Sequence, residues 1–237
     1  MHDFLFYSDD IDLKNKRLIL KGDEFKHAFK ILRKKVGDTL TIFDGLGVKY
    51  KVLVNKIEKN RAICSVTDIF TCNEVYPELQ VGVGLLKSKA MVEVIKDCSA
   101  LGISEILLFR SKNSVVKEVN LERLKKISIE SVKQSNGFRI PAIKYMDRFD
   151  ACLKEMSEDG LKLIADMDGE VAISSIFDKD GLPEKVCILF GPEGGFTKEE
   201  IEKAKDFGFE TVKLIDRRLR TELAIITAVS YILYSYY

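Results

Sequence analysis

Three clusters in this chain have residue types and spacings suited to chemistry. The first is Gly191-Pro192-Glu193-Gly194-Gly195-Phe196, directly after the apolar run Cys187–Phe190. An apolar run cut off by turn residues reads as a buried strand of a parallel sheet. Thr197, with Glu200 three residues on, is a capping-box signature, so a helix starts there. Strand, glycine loop and helix N-terminus together point backbone N–H groups beyond the strand's carboxyl end, where a ligand can sit. Gly194-Gly195 permits positive φ and close backbone approach. A tight turn without a ligand fits the bare pattern equally well. The second cluster is Leu214-Ile215-Asp216-Arg217-Arg218-Leu219-Arg220-Thr221-Glu222, a cationic loop between a short strand and a very apolar helix. In an open α/β sheet, cations from such a loop can meet a ligand beyond the strands' carboxyl ends. A structural salt bridge between Arg220 and Glu222 remains the plain alternative. The third cluster is Lys30, Arg33, Lys34 and Lys35, at the end of an expected helix. It reads either as a solvated helix C-terminus favoured by the dipole or as a set of phosphate contacts.

Other motifs are excluded. No Gly-Lys-Ser/Thr follows the glycine loop, so it is not a nucleoside-triphosphate phosphate loop. Val81-Gly82-Val83-Gly84 has Lys87 where a dinucleotide fingerprint needs its third glycine. Asp166-Met167-Asp168 looks like a metal-binding Asp-x-Asp, but Asp168-Gly169 is an ordinary turn pair and nothing else supports a metal.

Taken together, the first two clusters resemble the small-subunit (16S) ribosomal RNA uracil-N3 methyltransferases, the RsmE family of the trefoil-knotted SPOUT superfamily. The third adds to the likeness. His27-x-x-x-Ile31-Leu32-Arg33, then Gly37-Asp38 and Phe43-Asp44-Gly45, resembles that family's PUA-like RNA-binding domain. The resemblance implies S-adenosylmethionine held by three loops, chiefly through backbone groups. These map onto Ala165 and Asp166, onto Phe190, Gly191, Pro192, Glu193, Gly194 and Gly195, and onto Leu214, Ile215, Leu219, Arg220, Thr221 and Ala224. It implies methyl transfer to N3 of a uridine, for which Arg220 and Arg217 are the candidate cations and Glu222 the weaker candidate for the proton. Glu193 is the acid placed to balance the sulfonium, or simply a helix N-terminal anion. Lys30, Arg33, Lys34, Lys35, Lys87 and Lys112 are the candidate RNA contacts, with Arg33 foremost. The resemblance also implies a homodimer, with the last helix threaded through the knot and packed at the interface.

Some positions depart from the family pattern. Asp97 and Ala100 stand where Lys and Glu are usual after the first strand of the second domain, and Gly137 and Asn113 replace arginines. Ile215, Arg218 and Leu223 replace the usual Gly, aliphatic residue and Thr. The cofactor loops match better than the substrate side. Two other readings therefore stand beside the first: methylation of a different RNA position, and an RNA-binding module that kept the fold without the chemistry.

The whole chain must supply elements to position these clusters. Its 237 residues, 46% hydrophobic and 32% charged, suit a globular protein with ample core. No apolar run reaches the ~18 residues of a membrane span, and the N-terminus lacks the form of a secretory signal. Five scattered cysteines read as reduced core residues, which with the absence of a signal suggests the cytoplasm. Two histidines make zinc sites and His-based triads poor candidates. Residues 1–75 carry 14 Lys and Arg against 11 Asp and Glu, so a nucleic-acid partner must meet a local patch.

The expected fold class is α/β: a PUA-like β-barrel domain over 1–72, then a knotted parallel-sheet methyltransferase domain over 73–237. In the first, strands are expected at Arg17–Leu20, Thr39–Phe43, Val48–Ile57 and Ala62–Phe70. A helix capped by Asp23 should bury Phe25, Ala28, Phe29 and Leu32. Residues Thr71 to Glu78 form the expected linker. In the second, strands are expected at Leu79–Leu86, Glu105–Phe109, Leu161–Ala165, Val186–Phe190 and Thr211–Leu214. Helices are expected at Lys89–Leu101, Asn120–Ser135, Phe149–Glu158, Lys198–Phe207 and Thr221–Tyr234. This alternation predicts a parallel sheet with its ligand site beyond the carboxyl ends of the strands.

Overall fold

The computed structural model describes residues 4–71, 77–156, 159–177 and 181–237. The expected boundary at 72 and 73, most of the expected linker, Cys72, and the end of the helix expected to reach Glu158 lie outside the described residues. The chain forms two compact units, Met1–Glu74 with Ile129–Ile140, and Val75–Ser128 with Pro141–Tyr237.

The first unit is built on β1 (Leu5–Tyr7), β2 (Ile11–Asp12), β3 (Arg17–Lys21), β4 (Thr39–Phe43), β5 (Val48–Ile57) and β6 (Arg61–Thr71). Their order is β1-β4-β5-β6-β3-β2. All pairings are antiparallel except β1 with β4. Strands β1 and β2 lie at opposite edges of this order but are separated by only residues 8–10, too short a run to span a flat sheet. The N-terminal segment therefore bends from one edge to the other, and Ser8 Oγ donates to Ile19 O (2.7 Å) on the way. The sheet curls around Phe6, Leu18, Leu20, Leu40, Ile42 and Val52, the inward half of each alternating strand.

The helix of this unit differs from expectation. Four residues of α1 (Gly22–Phe25) run into a π-helical turn over Lys26–Ile31, closed by Leu32 N to His27 O at 3.0 Å. Lys21, not Asp23, occupies the N-cap. Asp23 lies in the first turn and pairs with Lys26 at 2.8 Å. Phe25 and Ala28 are buried as expected, while Phe29 and Leu32 are half-buried against the same core. His27 packs on Phe4 and Phe6. In the same unit, residues 138–140 run along the Gly45–Gly47 turn, with Ile140 N donating to Gly45 O at 2.9 Å.

The second unit holds a parallel sheet of β7 (Glu78–Gly84), β8 (Glu105–Phe109), β9 (Ala142–Met146), β10 (Leu161–Ala165), β11 (Val171–Ala172), β12 (Lys185–Phe190) and β13 (Glu210–Lys213). The order is β11-β13-β10-β12-β7-β8-β9, and every pairing is parallel. Helices α2 (Ser88–Ala100) and α7 (Thr221–Tyr234) cover one face, and α4 (Phe149–Glu155) and α6 (Lys198–Asp206) the other. Helix α3 (Leu121–Gln134) follows β8, its residues from Ile129 on counted with the first unit, and the short α5 (Ser174–Phe177) follows β11. Each central strand feeds both faces. Ile106 and Leu108 point to one core, Leu107 and Phe109 to the other, and Ile188 and Leu189 divide in the same way. That two-sided burial is why these strands read as unbroken apolar runs. Strands β9 and β11, helix α5, and β1 and β2 of the first unit are elements the sequence patterns do not announce.

Candidate active site

The site grows from the carboxyl ends of three adjacent strands, β13, β10 and β12. Their loops enclose a cavity of about 370 Å³, the size range of cofactor sites. Ala165, Asp166, Met167 and Asp168 come from the loop after β10. Phe190, Gly191, Pro192, Glu193, Gly195 and Phe196 come from β12 and the loop after it. Leu214, Ile215, Arg217, Arg218 and Leu219 come from the loop after β13, with Thr221 and Ala224 from the start of α7.

The glycines act differently from one another. A Cβ on Gly191 would lie 2.9 Å from Gly195 C and Phe196 N, so the loop can fold back on itself only because Gly191 has none. Gly195 has φ +71°, and its N–H donates to Pro192 O at 2.8 Å, closing a turn. A side chain there would meet open space, so the constraint at Gly195 is its backbone conformation rather than crowding by the protein. Gly194 lies outside the cavity lining, with its Cα facing the Asn113 side chain. Pro192 packs where Gly84 of β7 leaves room: a Cβ on Gly84 would sit 2.6 Å from the proline ring. Gly169 is needed for a similar reason, since a Cβ would lie 2.5 Å from Val212 C.

Polar groups fix the loops. Glu193 Oε1 accepts the Lys87 N–H at 2.9 Å. Glu200, 7% exposed, completes the capping box with Thr197 and also accepts from Ser111 Oγ (3.1 Å) and Lys112 N (2.9 Å). Asp166 Oδ1 accepts the Asp168 N–H at 3.2 Å, the turn expected of Asp168-Gly169. Lys213 pairs with Asp216 at 2.7 Å and holds the Asp216 carboxyl below its usual range.

A second cavity of about 500 Å³ shares Glu193, Arg218, Leu219 and Thr221 with the first, and adds Lys87, Lys89, Ala90, Glu93, Arg220 and Glu222. The sequence clusters are therefore divided. Arg217 lines the first cavity, while Arg220 and Glu222 line the second. Arg220 stands among the expected cofactor contacts, yet it borders the neighbouring cavity. It pairs with Glu222 at 3.1 Å, the arginine side chain 80% exposed and the glutamate 13%. Lys87 also borders the second cavity. Lys112 does not line either one and is drawn to Glu199 at 2.8 Å, which raises the lysine pKa. Lys30, Arg33 and Lys35 are exposed on the first unit and Lys34 is half-buried. Met167, Asp168, Phe196 and Arg218 are not among the expected cofactor contacts. Each lies within two residues of one in the same loop, and that proximity is the signal that would place it.

Among the described residues, no cluster of three or more His, Cys, Asp or Glu could hold a metal ion, and no helix is long and apolar enough to cross a membrane. Cys64, Cys98, Cys152 and Cys187 are buried. Burial pushes the Cys64 and Cys98 thiols up to about 12.

Comparison with known proteins adds the following. Residues 73–233 match the family described as an RNA methyltransferase domain, and residues 20–67 match an RNA methyltransferase PUA domain. The ribosomal RNA small subunit methyltransferase E of Mesomycoplasma hyopneumoniae is 33% identical over 65% of this chain and 68% of its own length. That of Rickettsia conorii is 28% identical over 92% of this chain and 89% of its own. A crystal structure of ribosomal RNA small subunit methyltransferase E from Neisseria gonorrhoeae, bound to S-adenosyl methionine, shares the fold with a TM-score of 0.86 at 24% identity, covering 97% of this chain and 96% of that one.

Proposed function

We infer the function from one premise: the chain belongs to the RNA methyltransferases, in the ribosomal RNA small subunit methyltransferase E family. It is an enzyme that methylates ribosomal RNA. We propose that its methyl donor is S-adenosylmethionine, bound in the 370 Å³ cavity. The observation that carries this is the lining. Gly191, Pro192, Glu193 and Gly195 line the cavity in a loop that folds back on itself because Gly191 has no Cβ, beside apolar Leu214, Ile215, Leu219 and Ala224 and acidic Asp166 and Asp168. An adenine ring suits the apolar wall, and the acids suit a cofactor bearing an ammonium and a sulfonium. The relative from Neisseria gonorrhoeae binds the same molecule.

The cofactor supplies a methyl group activated on a positive sulfur. The chain's own residues do the rest. The acceptor ring occupies the second cavity, whose shared wall of Glu193, Arg218, Leu219 and Thr221 brings it beside the first. The proposed target is N3 of a uridine in 16S ribosomal RNA. That nitrogen must lose its imide proton as the N–CH3 bond forms and the S–CH3 bond breaks. Loss of that proton, for which Glu222 is the candidate acceptor, leaves negative charge on the ring oxygens until the methyl group arrives, and Arg220, paired with Glu222, would stabilise it. Arg217 lines the cofactor side and has a binding role. Cations Lys30, Arg33, Lys34 and Lys35 on the first unit take RNA phosphates.

Three further features belong to this reading. The chain past β12 is knotted, the protein is a homodimer joined through α7, and it works in the cytoplasm. For the dimer, the support is an apolar helix that leaves Leu223 47% and Tyr234 77% exposed.

The test is methyl transfer from labelled S-adenosylmethionine to small ribosomal subunits lacking uridine N3-methylation, with the product mapped by nucleoside mass spectrometry. N3-methyluridine at one site is expected, and Arg220→Ala is expected to lower its formation about a hundredfold or more without loss of cofactor binding. A methyl group on a different nucleotide would replace the uridine assignment. Cofactor binding without transfer to any RNA would favour a module without chemistry.

A further inference from the structure

The glycine loop is buttressed from behind by a second loop, which the sequence marks only as a departure from family. Residues Ser111–Ser114 follow β8 and close on themselves, with Ser111 N donating to Ser114 Oγ and Ser114 N to Ser111 O, both at 3.1 Å. This turn is fastened to the start of α6 by Glu200, whose carboxylate takes Ser111 Oγ and Lys112 N. At its tip, Asn113 Nδ2 donates to Gly194 O at 3.2 Å and to Gly195 O at 3.0 Å. The approach is tight, since a Cβ on Gly194 would lie 3.0 Å from the Asn113 Cβ. Two consecutive carbonyls are thus held by one amide. They are the carbonyls of the turn that includes Gly195, a residue at φ +71° that lines the first cavity.

We propose that Asn113 is a positioning residue: its amide holds the Gly191–Phe196 loop in the conformation that binds the cofactor. The choice of amide over acid follows from the partners. Both acceptors are carbonyl oxygens, so only an N–H2 group satisfies them, and an aspartate of the same shape would set lone pairs against lone pairs. A role in overall stability is excluded by exposure, because a solvent-exposed hydrogen bond adds little to folding. What the amide controls is which conformation of an otherwise glycine-rich loop is populated. Binding is weakened by the fraction of molecules outside the competent conformation.

The inference rests on the cofactor reading of the first cavity, and two measurements keep the two apart. The first needs no cofactor. Hydrogen exchange of the Gly195 amide, which donates to Pro192 O, is expected to quicken about tenfold in Asn113→Asp while the melting temperature stays put. The second is steady-state kinetics. The KM for S-adenosylmethionine is expected to rise about tenfold in Asn113→Asp with kcat at saturation within about twofold. Asn113→Ala should move both in the same direction by less, and Asn113→Gln, which keeps the donors, should recover most of the wild-type KM. Unchanged exchange at Gly195 in both Asn113→Asp and Asn113→Ala would overturn the proposal, as would an unchanged KM. A wild-type protein that fails to bind S-adenosylmethionine would overturn the cofactor reading instead, and the exchange measurement would still decide the role of Asn113.

Discussion

Single residues carry this protein's chemistry through backbone shape as much as through charge. Arg33 has φ +56°, a left-handed conformation that costs a side-chain-bearing residue about 1 kcal/mol and that glycine adopts freely. It follows Leu32, the C-cap of the π-helical turn, and it sits in the cationic cluster proposed to hold RNA. Retaining arginine where glycine would fold better fits a binding role. Arg33→Gly is expected to raise stability by about 0.5 kcal/mol in denaturant melts while weakening RNA binding and lowering its log–log salt slope by about one. Tighter RNA binding by that variant would remove Arg33 from the interface. Gly191 shows the opposite constraint. Its missing side chain is required by backbone atoms 2.9 Å away, so Gly191→Ala must shift the loop. Calorimetry should find cofactor affinity down about a hundredfold. Wild-type affinity in Gly191→Ala would mean the loop can yield elsewhere. The plain alternative for Arg220 and Glu222, a salt bridge, is present at 3.1 Å. It does not compete with a chemical role, since a paired, exposed arginine can still face an acceptor ring.

At the scale of elements, local signals served best where one element is long and internally periodic. The span Thr221–Tyr234 of α7, Val48–Ile57 of β5 and the capping box of α6 stand where their residues predict. Strand β9 is less visible because it pairs only with β8 at the sheet edge. Within Ala142–Met146 only Ile143 is buried, while Ala142 and Lys144 are exposed, so the segment lacks the two-sided burial of the central strands. The π-helical turn is invisible in the sequence because its apolar spacing fits an α-helix. The hydrogen bond from Leu32 N to His27 O, five residues back, decides otherwise. Strand β5 also carries a titration test. Tyr50, 3% exposed, donates to Asp44 Oδ2 at 3.1 Å. Burial first, then the nearby Asp44 charge, pushes its hydroxyl from the usual 10 up to about 12. A proton held more tightly in the folded state stabilises it below the unfolded pKa, and that contribution is lost as pH climbs from 10 towards 12. Tyr50→Phe should therefore cost about 1 kcal/mol at pH 8 and show a shallower loss of stability from pH 10 to 12. Parallel alkaline melting curves for the two proteins would contradict this.

Helix α7 buries Ile225, Ala228, Val229 and Ile232 against its own sheet and α2, yet leaves Leu223 and Tyr234 exposed. Exposed apolar side chains on a helix already packed on its other face suit a second copy. Sedimentation should find a dimer for the natural protein and a monomer for Leu223→Asp combined with Tyr234→Asp, with the circular dichroism spectrum retained. A dimer that survives both changes would place the interface elsewhere.

The sequence alone determined the alternation of apolar runs and amphipathic helices, and with it the parallel sheet, because burial on two faces leaves a mark in every central strand. It also determined the glycine and arginine loops, whose residue types depend on backbone geometry and charge within a few positions. Tertiary structure alone decided which loops meet. Strands β13, β10 and β12 are neighbours in space and not in the order of the chain, so their shared cavity follows from strand order. The separation of Arg217 from Arg220 into two cavities is decided in the same way. So is the hold of Asn113 on Gly194 and Gly195, 81 and 82 residues away. Contacts at such separations depend on packing that no local pattern encodes.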